Sequence, residues 1–144
     1  MMPEKQVEEQ IMTWLKQNAF SMDIFDSKAT WSPGAKTFRK NRSLVEGCAD
    51  LLGVSPEGYF VAIELKAPKK ETICRVEQRR FLERKILSNG FGIVVSSVDA
   101  LSESWSAWLN LRKENKLIEA QKYLLDKLPK KVLINKKVLV LITS

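Results

Sequence analysis

Gly47-Cys48-Ala49-Asp50-Leu51-Leu52-Gly53-Val54-Ser55-Pro56-Glu57-Gly58-Tyr59-Phe60-Val61-Ala62-Ile63-Glu64-Leu65-Lys66 is the stretch on which the reading of the fold turns. Apolar β-formers stand on both sides of Ser55-Pro56-Glu57-Gly58, a Pro/Gly turn, so the spacing predicts a β-hairpin. Side chains alternate across a strand. The second arm therefore carries Phe60, Ala62 and Glu64 on one parity, and Val61, Ile63 and Leu65 on the other. Glu64 and Lys66 point the same way. Asp50 sits near the start of the antiparallel partner and reaches the same end of the sheet.

Two carboxylates and an ammonium thus converge at the edge of an apolar sheet, which is costly unless they are paired or bind a metal. Carboxylate oxygens suit a hard cation such as Mg²⁺, which also needs water and phosphate oxygens around it. The lysine is a point charge that can steer phosphate or position a water. Alone, the Glu64-x-Lys66 triplet reads as a solvated pair at a strand end. The Gly47-x-x-Asp50 ahead of it, the hairpin between and the helix after it favour the site.

The 144 residues, 44% hydrophobic and 28% charged, suit one globular domain with a real core. A net charge of +7 favours an anionic partner such as nucleic acid. No run approaches the roughly 18 apolar residues that span a membrane. The N-terminus is acidic and amphipathic, unlike a signal peptide. Cys48 and Cys74 are the only cysteines, expected as free thiols in a reducing cytosol. The chain has no histidine, which removes Ser-His-Asp and Cys-His nucleophilic sites, His-containing zinc sites and His general bases. No P-loop is present, so no nucleotide cofactor is expected. Any chemistry must rest on carboxylates, lysine and a borrowed metal.

Around the hairpin, residues 4–18 read as a helix with Pro3 at its start and Val7, Ile11, Trp14 and Leu15 as its apolar stripe. Glu4 lies within the arc of that stripe and Glu8 on its border; both also suit a helix N-terminus through the macrodipole. Residues 19–25 read as a short strand or its approach. Residues 26–42 read as a loop with a turn at Ser32-Pro33-Gly34. Lys36, Arg39, Lys40 and Arg42 in that loop suit phosphate contacts or a solvated surface. After Pro68-Lys69-Lys70, a helix is expected over residues 74–88, ended by Asn89-Gly90. Gln78 shares its buried face with Phe81 and Leu82, and a buried amide must find a partner. Arg75, Arg79, Arg80, Arg84 and Lys85 are expected to make its outer face basic. Residues 91–96 read as a buried strand, completing a strand–helix–strand crossover. Residues 102–126 read as helical with a break near Trp108. Trp105, Trp108, Leu109 and Leu111 read as packing. Beyond Pro129, residues 132–142 read as a hairpin or one long strand.

Taken together and in order, a helix bearing Glu, Gly47-x-x-Asp50, Glu64-x-Lys66-x-Pro68, Gln78-x-x-Phe81 and the strand from Gly90 resemble the PD-(D/E)XK nuclease superfamily, and within it the VRR-NUC type found in phages and repair enzymes. Two positions depart from the pattern. Ala49 stands where members usually have proline, and Arg75 where a serine often precedes the glutamine. The resemblance implies an α/β fold with a restriction-endonuclease-like αβββαβ core: a mixed central sheet flanked by helices over residues 1–101. Residues 102–144 then form a C-terminal extension of helix and strand or hairpin, packed on the same domain. It implies Mg²⁺ or Mn²⁺ held by Asp50, Glu64 and the Leu65 backbone carbonyl, with Glu4 or Glu8 completing the shell. Lys66 would orient or activate the attacking water and Gln78 would assist.

The expected activity is that of a metal-dependent DNA endonuclease. DNA would meet Lys36, Arg39, Lys40, Arg42, Lys69, Lys70, Arg75 and Arg79. Phage-type relatives act as dimers on branched DNA, which extends the expectation to a homodimer working in recombination, repair or phage replication, in the cytoplasm of a bacterium or phage-infected host. Two other readings compete: a catalytically silent nucleic-acid-binding module on the same fold, and a structural protein whose basic surface serves solubility.

Overall fold

The computed structural model describes residues 2–25 and 46–141, together with the backbone of 30–32 and 37–39. In chain order the elements are α1 (Glu4–Gln17), β1 (Ser21–Ile24), β2 (Thr30–Ser32), β3 (Thr37–Arg39), β4 (Leu51–Val54), β5 (Phe60–Leu65), β6 (Ile73–Arg75), α2 (Val76–Leu87), β7 (Phe91–Val95), α3 (Val98–Lys113), α4 (Leu117–Lys127), β8 (Lys131–Ile134) and β9 (Lys137–Val140). The class is mixed α/β. A four-stranded mixed sheet runs β1-β4-β5-β7, and a three-stranded mixed sheet runs β6-β8-β9.

The hairpin forms where the turn chemistry puts it. β4 and β5 pair antiparallel, with Leu51 opposite Ile63 and Val54 opposite Phe60. Ser55 closes the turn by accepting from Gly58 N–H at its carbonyl and from Tyr59 N–H at its hydroxyl, and Gly58 takes φ +92°. β1 adds antiparallel on the outer side of β4. A side chain at Gly53 would run into the Ser21 carbonyl and the Met22 backbone, so only glycine lets β1 approach this closely. β7 pairs parallel with β5, and α2 makes the crossover between them. Helices cover the sheet, so β7 is buried throughout and β5 from Val61 to Leu65.

α1 buries Val7, Ile11 and Leu15 of its expected stripe, while Trp14 at its border is only half-buried. Trp105 and Trp108 of α3 pack edge-on against Phe91, as packing residues should. Both cysteines are free and buried. Among the described residues, no helix is long and apolar enough to cross a membrane.

Four local expectations are corrected. The loop expected over residues 26–42 contains an antiparallel pair, β2 with β3, built on Thr30-Trp31 and Thr37-Phe38. Cys74 and Arg75 belong to β6 and not to the helix, because β8 arrives from far along the chain and pairs parallel with them. The helix expected from Ser102 begins earlier, at Val98, where Ser97 caps it by accepting from Ala100 N–H at 3.1 Å. The break expected near Trp108 falls instead after Lys113, where Asn115 takes φ +58°. Trp108 is itself only 1% exposed and packs mid-helix. Of the two C-terminal options the hairpin is found, with Asn135 and Lys136 both at positive φ, a two-residue turn that matches the twist of its strands.

Candidate active site

Glu64 is the last but one residue of β5, and its side chain is 3% exposed. Asp50 immediately precedes β4. Its carbonyl accepts from Phe25 N–H at 2.8 Å and its Oδ2 accepts from Leu65 N–H at 2.9 Å. The antiparallel pairing of β4 with β5 brings Asp50 opposite Glu64, close enough for the Asp50 charge to act on the Glu64 carboxyl. The convergence expected from the hairpin is therefore present.

Gln78 is the hub of the site. Its Nε2 donates to Glu64 Oε1 at 2.9 Å, while its Oε1 accepts from Arg75 N–H at 2.9 Å and from Lys66 Nζ at 3.4 Å. A backbone N–H can only donate, so Arg75 fixes which end of the amide faces Glu64. Arg75 is the residue before α2, so the Gln78 contact is the return half of a capping box. Serine at this position would add the other half. The bond to Gln78 uses the Arg75 backbone and survives the change of side chain.

Gly47 explains how the loop reaches this point. It takes φ +78°, and any side chain there would collide with the backbone of Glu77 and Gln78 at the start of α2. The Gly47-x-x-Asp50 spacing thus presses the approach to Asp50 against the helix that carries Gln78.

Burial and the charge of the neighbouring Asp50 push the Glu64 carboxyl up to about 9. Lys66 opposes the shift, and the charge of Glu4 adds a little to it. Glu64 Oε2 is buried without a hydrogen-bond partner. Burial likewise raises the Cys48 and Cys74 thiols, which makes them packing residues rather than nucleophiles.

A pocket of about 330 Å³ opens beside Asp50 and Leu65, and Glu4 and Glu8 of α1 line it. Both N-terminal candidates therefore lie near the site. Among the described residues, however, no three His, Cys, Asp or Glu side chains gather as a metal-holding group, so neither glutamate closes on the Asp50–Glu64 pair as a third ligand.

The basic residues divide. Lys69, Lys70 and Arg75 are exposed, as a phosphate-binding role needs. Arg79 is not: it is 5% exposed, its Nη1 donates to the Pro129 carbonyl at 2.8 Å, and its Nε lies 2.9 Å from Glu83 Oε1 in an ion pair. Its assignment to DNA is corrected, because the chain after α4 folds back over this side of α2. Lys36, Lys40 and Arg42, and the side chain of Arg39, lie outside the described residues. Ile24 and Phe25 also line the pocket and were not singled out in the sequence. The signal was available: continuing the β1 strand one residue places Phe25 opposite Asp50.

Comparison of the chain with protein-family models, curated proteins and solved structures returns no match.

Proposed function

We propose that this protein is a divalent-cation-dependent nuclease that hydrolyses DNA phosphodiester bonds at the end of the central sheet, with Asp50, Glu64, Lys66 and Gln78 as its working residues. One observation carries the reading. A buried glutamate, pressed against a second carboxylate, has one oxygen held by Gln78 and the other without a partner. Such an arrangement is unfavourable for its own sake and is explained by a cation that takes up both charges. With β2, β3 and β6 set in other sheets, the remaining succession α1, β1, β4, β5, α2, β7 supports the restriction-endonuclease-like αβββαβ reading: a helix, three antiparallel strands, a crossover helix and a parallel strand.

The residues present fit a hard cation. Asp50 and Glu64 supply two carboxylates, and Leu65 adds a backbone carbonyl at the pocket. Two carboxylates leave most of a six-ligand shell to water and phosphate, as Mg²⁺ prefers and Mn²⁺ accepts. Bound there, the cation would polarise the phosphodiester and lower the pKa of a water. The protein's own groups do the positioning. Gln78 holds Glu64 through Oε1, which aims Oε2 away from the amide. The same amide holds Lys66 Nζ beside the carboxylates, where its fixed positive charge favours negative charge developing on a phosphate. Lys69, Lys70 and Arg75 contribute exposed positive charge for the DNA backbone. The resemblance extends the proposal to branched DNA and a homodimer.

Single-turnover cleavage of labelled linear and branched DNA, with Mg²⁺ or Mn²⁺ and with excess chelator, tests the reading alongside calorimetric metal titration. Glu64→Ala loses metal affinity together with activity. Lys66→Ala keeps the metal and loses mainly the chemical step. Cleavage in excess chelator, or an undiminished rate in Asp50→Ala, overturns the proposal.

A further inference from the structure

The pocket beside Asp50 has two unlike walls. α1 contributes Glu4, Lys5 and Glu8, whereas the end of β1 contributes Ile24 and Phe25. Ile24 is 57% exposed, and Phe25 is only partly buried. β1 is an edge strand, so nothing in the sheet covers its outer side. The Phe25 N–H bond to the Asp50 carbonyl places this aromatic residue next to the proposed metal ligand, on the neighbouring strand. The apolar wall faces the carboxylates of Glu4, Glu8 and Asp50, a mixed lining that suits a ligand with both an apolar and a polar part. At about 330 Å³ the pocket is at the small end of the roughly 300–1,000 Å³ that small-molecule sites occupy. That volume suits one nucleotide and is too small for a stacked duplex.

We propose that Ile24 and Phe25 form a base-binding wall that takes one unpaired nucleotide next to the phosphate held at Asp50 and Glu64, so that single-stranded DNA is preferred over duplex at this point. The proposal rests on the nuclease reading for the position of the phosphate. A base inside a duplex presents only its edges, whereas an unpaired base offers a π-face to Phe25 and an apolar edge to Ile24. The acidic α1 side of the pocket disfavours a second phosphate there, which leaves the base, not the backbone, to fill it. Phe25 and Ile24 then select the substrate's strandedness and take no part in the chemical step.

The test is fluorescence anisotropy of one labelled oligonucleotide, as single strand and as duplex, in Ca²⁺ without Mg²⁺ or Mn²⁺. The wild-type protein is expected to bind the single strand more tightly. Phe25→Ala is expected to weaken single-strand binding on the order of tenfold while leaving duplex binding unchanged, and Phe25→Trp to restore it. Because Phe25 also touches the core, Ile24→Ser is measured beside it. Ile24 is mostly exposed, so this change spares the fold and is expected to weaken single-strand binding severalfold. Equal wild-type affinity for both forms, no binding of either, or unchanged single-strand affinity in both Ile24→Ser and folded Phe25→Ala overturns the proposal. Cleavage assays separate the two readings. A wild-type protein that cleaves DNA but is indifferent to Ile24 and Phe25 loses the base wall and keeps the nuclease. One that shows the binding pattern but never cleaves keeps the base wall and loses the nuclease.

Discussion

Glu64 in β5 and Arg79 in α2 are buried to nearly the same degree, at 3% and 5% exposure, and both belong to the neighbourhood of Gln78. Their surroundings differ. Arg79 has its charge met by Glu83 and its Nη1 by the Pro129 carbonyl, so it ties the start of α2 to the chain leading into β8. β6, the strand just before α2, pairs with β8 on the same side. Glu64 sits in the central sheet with a second carboxylate against it and one oxygen unmet. A buried charge held against an opposite charge serves the fold. One pressed against a like charge, and whose protonation is distorted as a result, is where a ligand is to be sought. The smaller sheet, with β9 exposed along its length, thus acts as a clamp on the helix that presents Gln78 to the larger one.

The largest expected effect breaks the Glu64 side of this contrast. Asp50→Ala or Glu64→Ala should lower single-turnover DNA cleavage by about 10³-fold or more, with circular dichroism unchanged. A loss below tenfold would mean that the carboxylate pair is not where the chemistry occurs.

Next comes pH. The folded Glu64 carboxyl titrates near 9 against a usual value near 4.5, so the metal-free fold binds this proton more tightly than the unfolded chain. Its stabilising contribution is complete below about pH 4.5 and is lost as pH rises toward about 9, with a slope of at most about 1.4 kcal/mol per unit. Urea melts of the metal-free protein across that window should show the decline. Glu64→Gln, neutral and nearly isosteric, should remove it. Metal binding must displace the same proton, so apparent Mn²⁺ affinity should climb with pH over the same window.

On the other side of the comparison, Arg79→Ala should destabilise the fold by about 2–3 kcal/mol, because it leaves the Pro129 carbonyl and part of the Glu83 charge unmet. Duplex DNA affinity of the folded protein should not change. By contrast, neutralising exposed Lys69 and Lys70 should leave stability alone and flatten the log–log salt dependence of DNA binding by about 0.9 per lost phosphate contact. If Arg79→Ala flattens that dependence and the lysine changes do not, the division between clamp and binding surface is reversed. The smallest effect belongs to β9. Val140, 65% exposed, should tolerate change to threonine within about 0.5 kcal/mol in a urea melt.

The hairpin over residues 47–66 was legible in the sequence because its causes are local: alternation of apolar residues, a Pro/Gly turn and a fixed period of two. The same holds for the buried strand at Phe91–Val95 and the apolar stripe of α1. It holds also for the pairing of Asp50 with Glu64, since a hairpin of known turn has a known register. Residues 73–75 and Arg79 were not legible in this way. Ile73-Cys74-Arg75 is a strand only because β8 supplies hydrogen-bond partners from the far end of the chain, and Arg79 leaves the solvent only because Pro129 arrives over it. The break in the C-terminal helices likewise follows where α3 and α4 must turn to pack on the sheet, and the wall of Ile24 and Phe25 exists only because α1 closes the other side of the pocket. Periodicity along a chain reports which face of an element is apolar. Which distant segment covers that face, and which charge it buries, is decided by close packing among elements and by the need to satisfy every buried polar group, so it appears only in the tertiary structure.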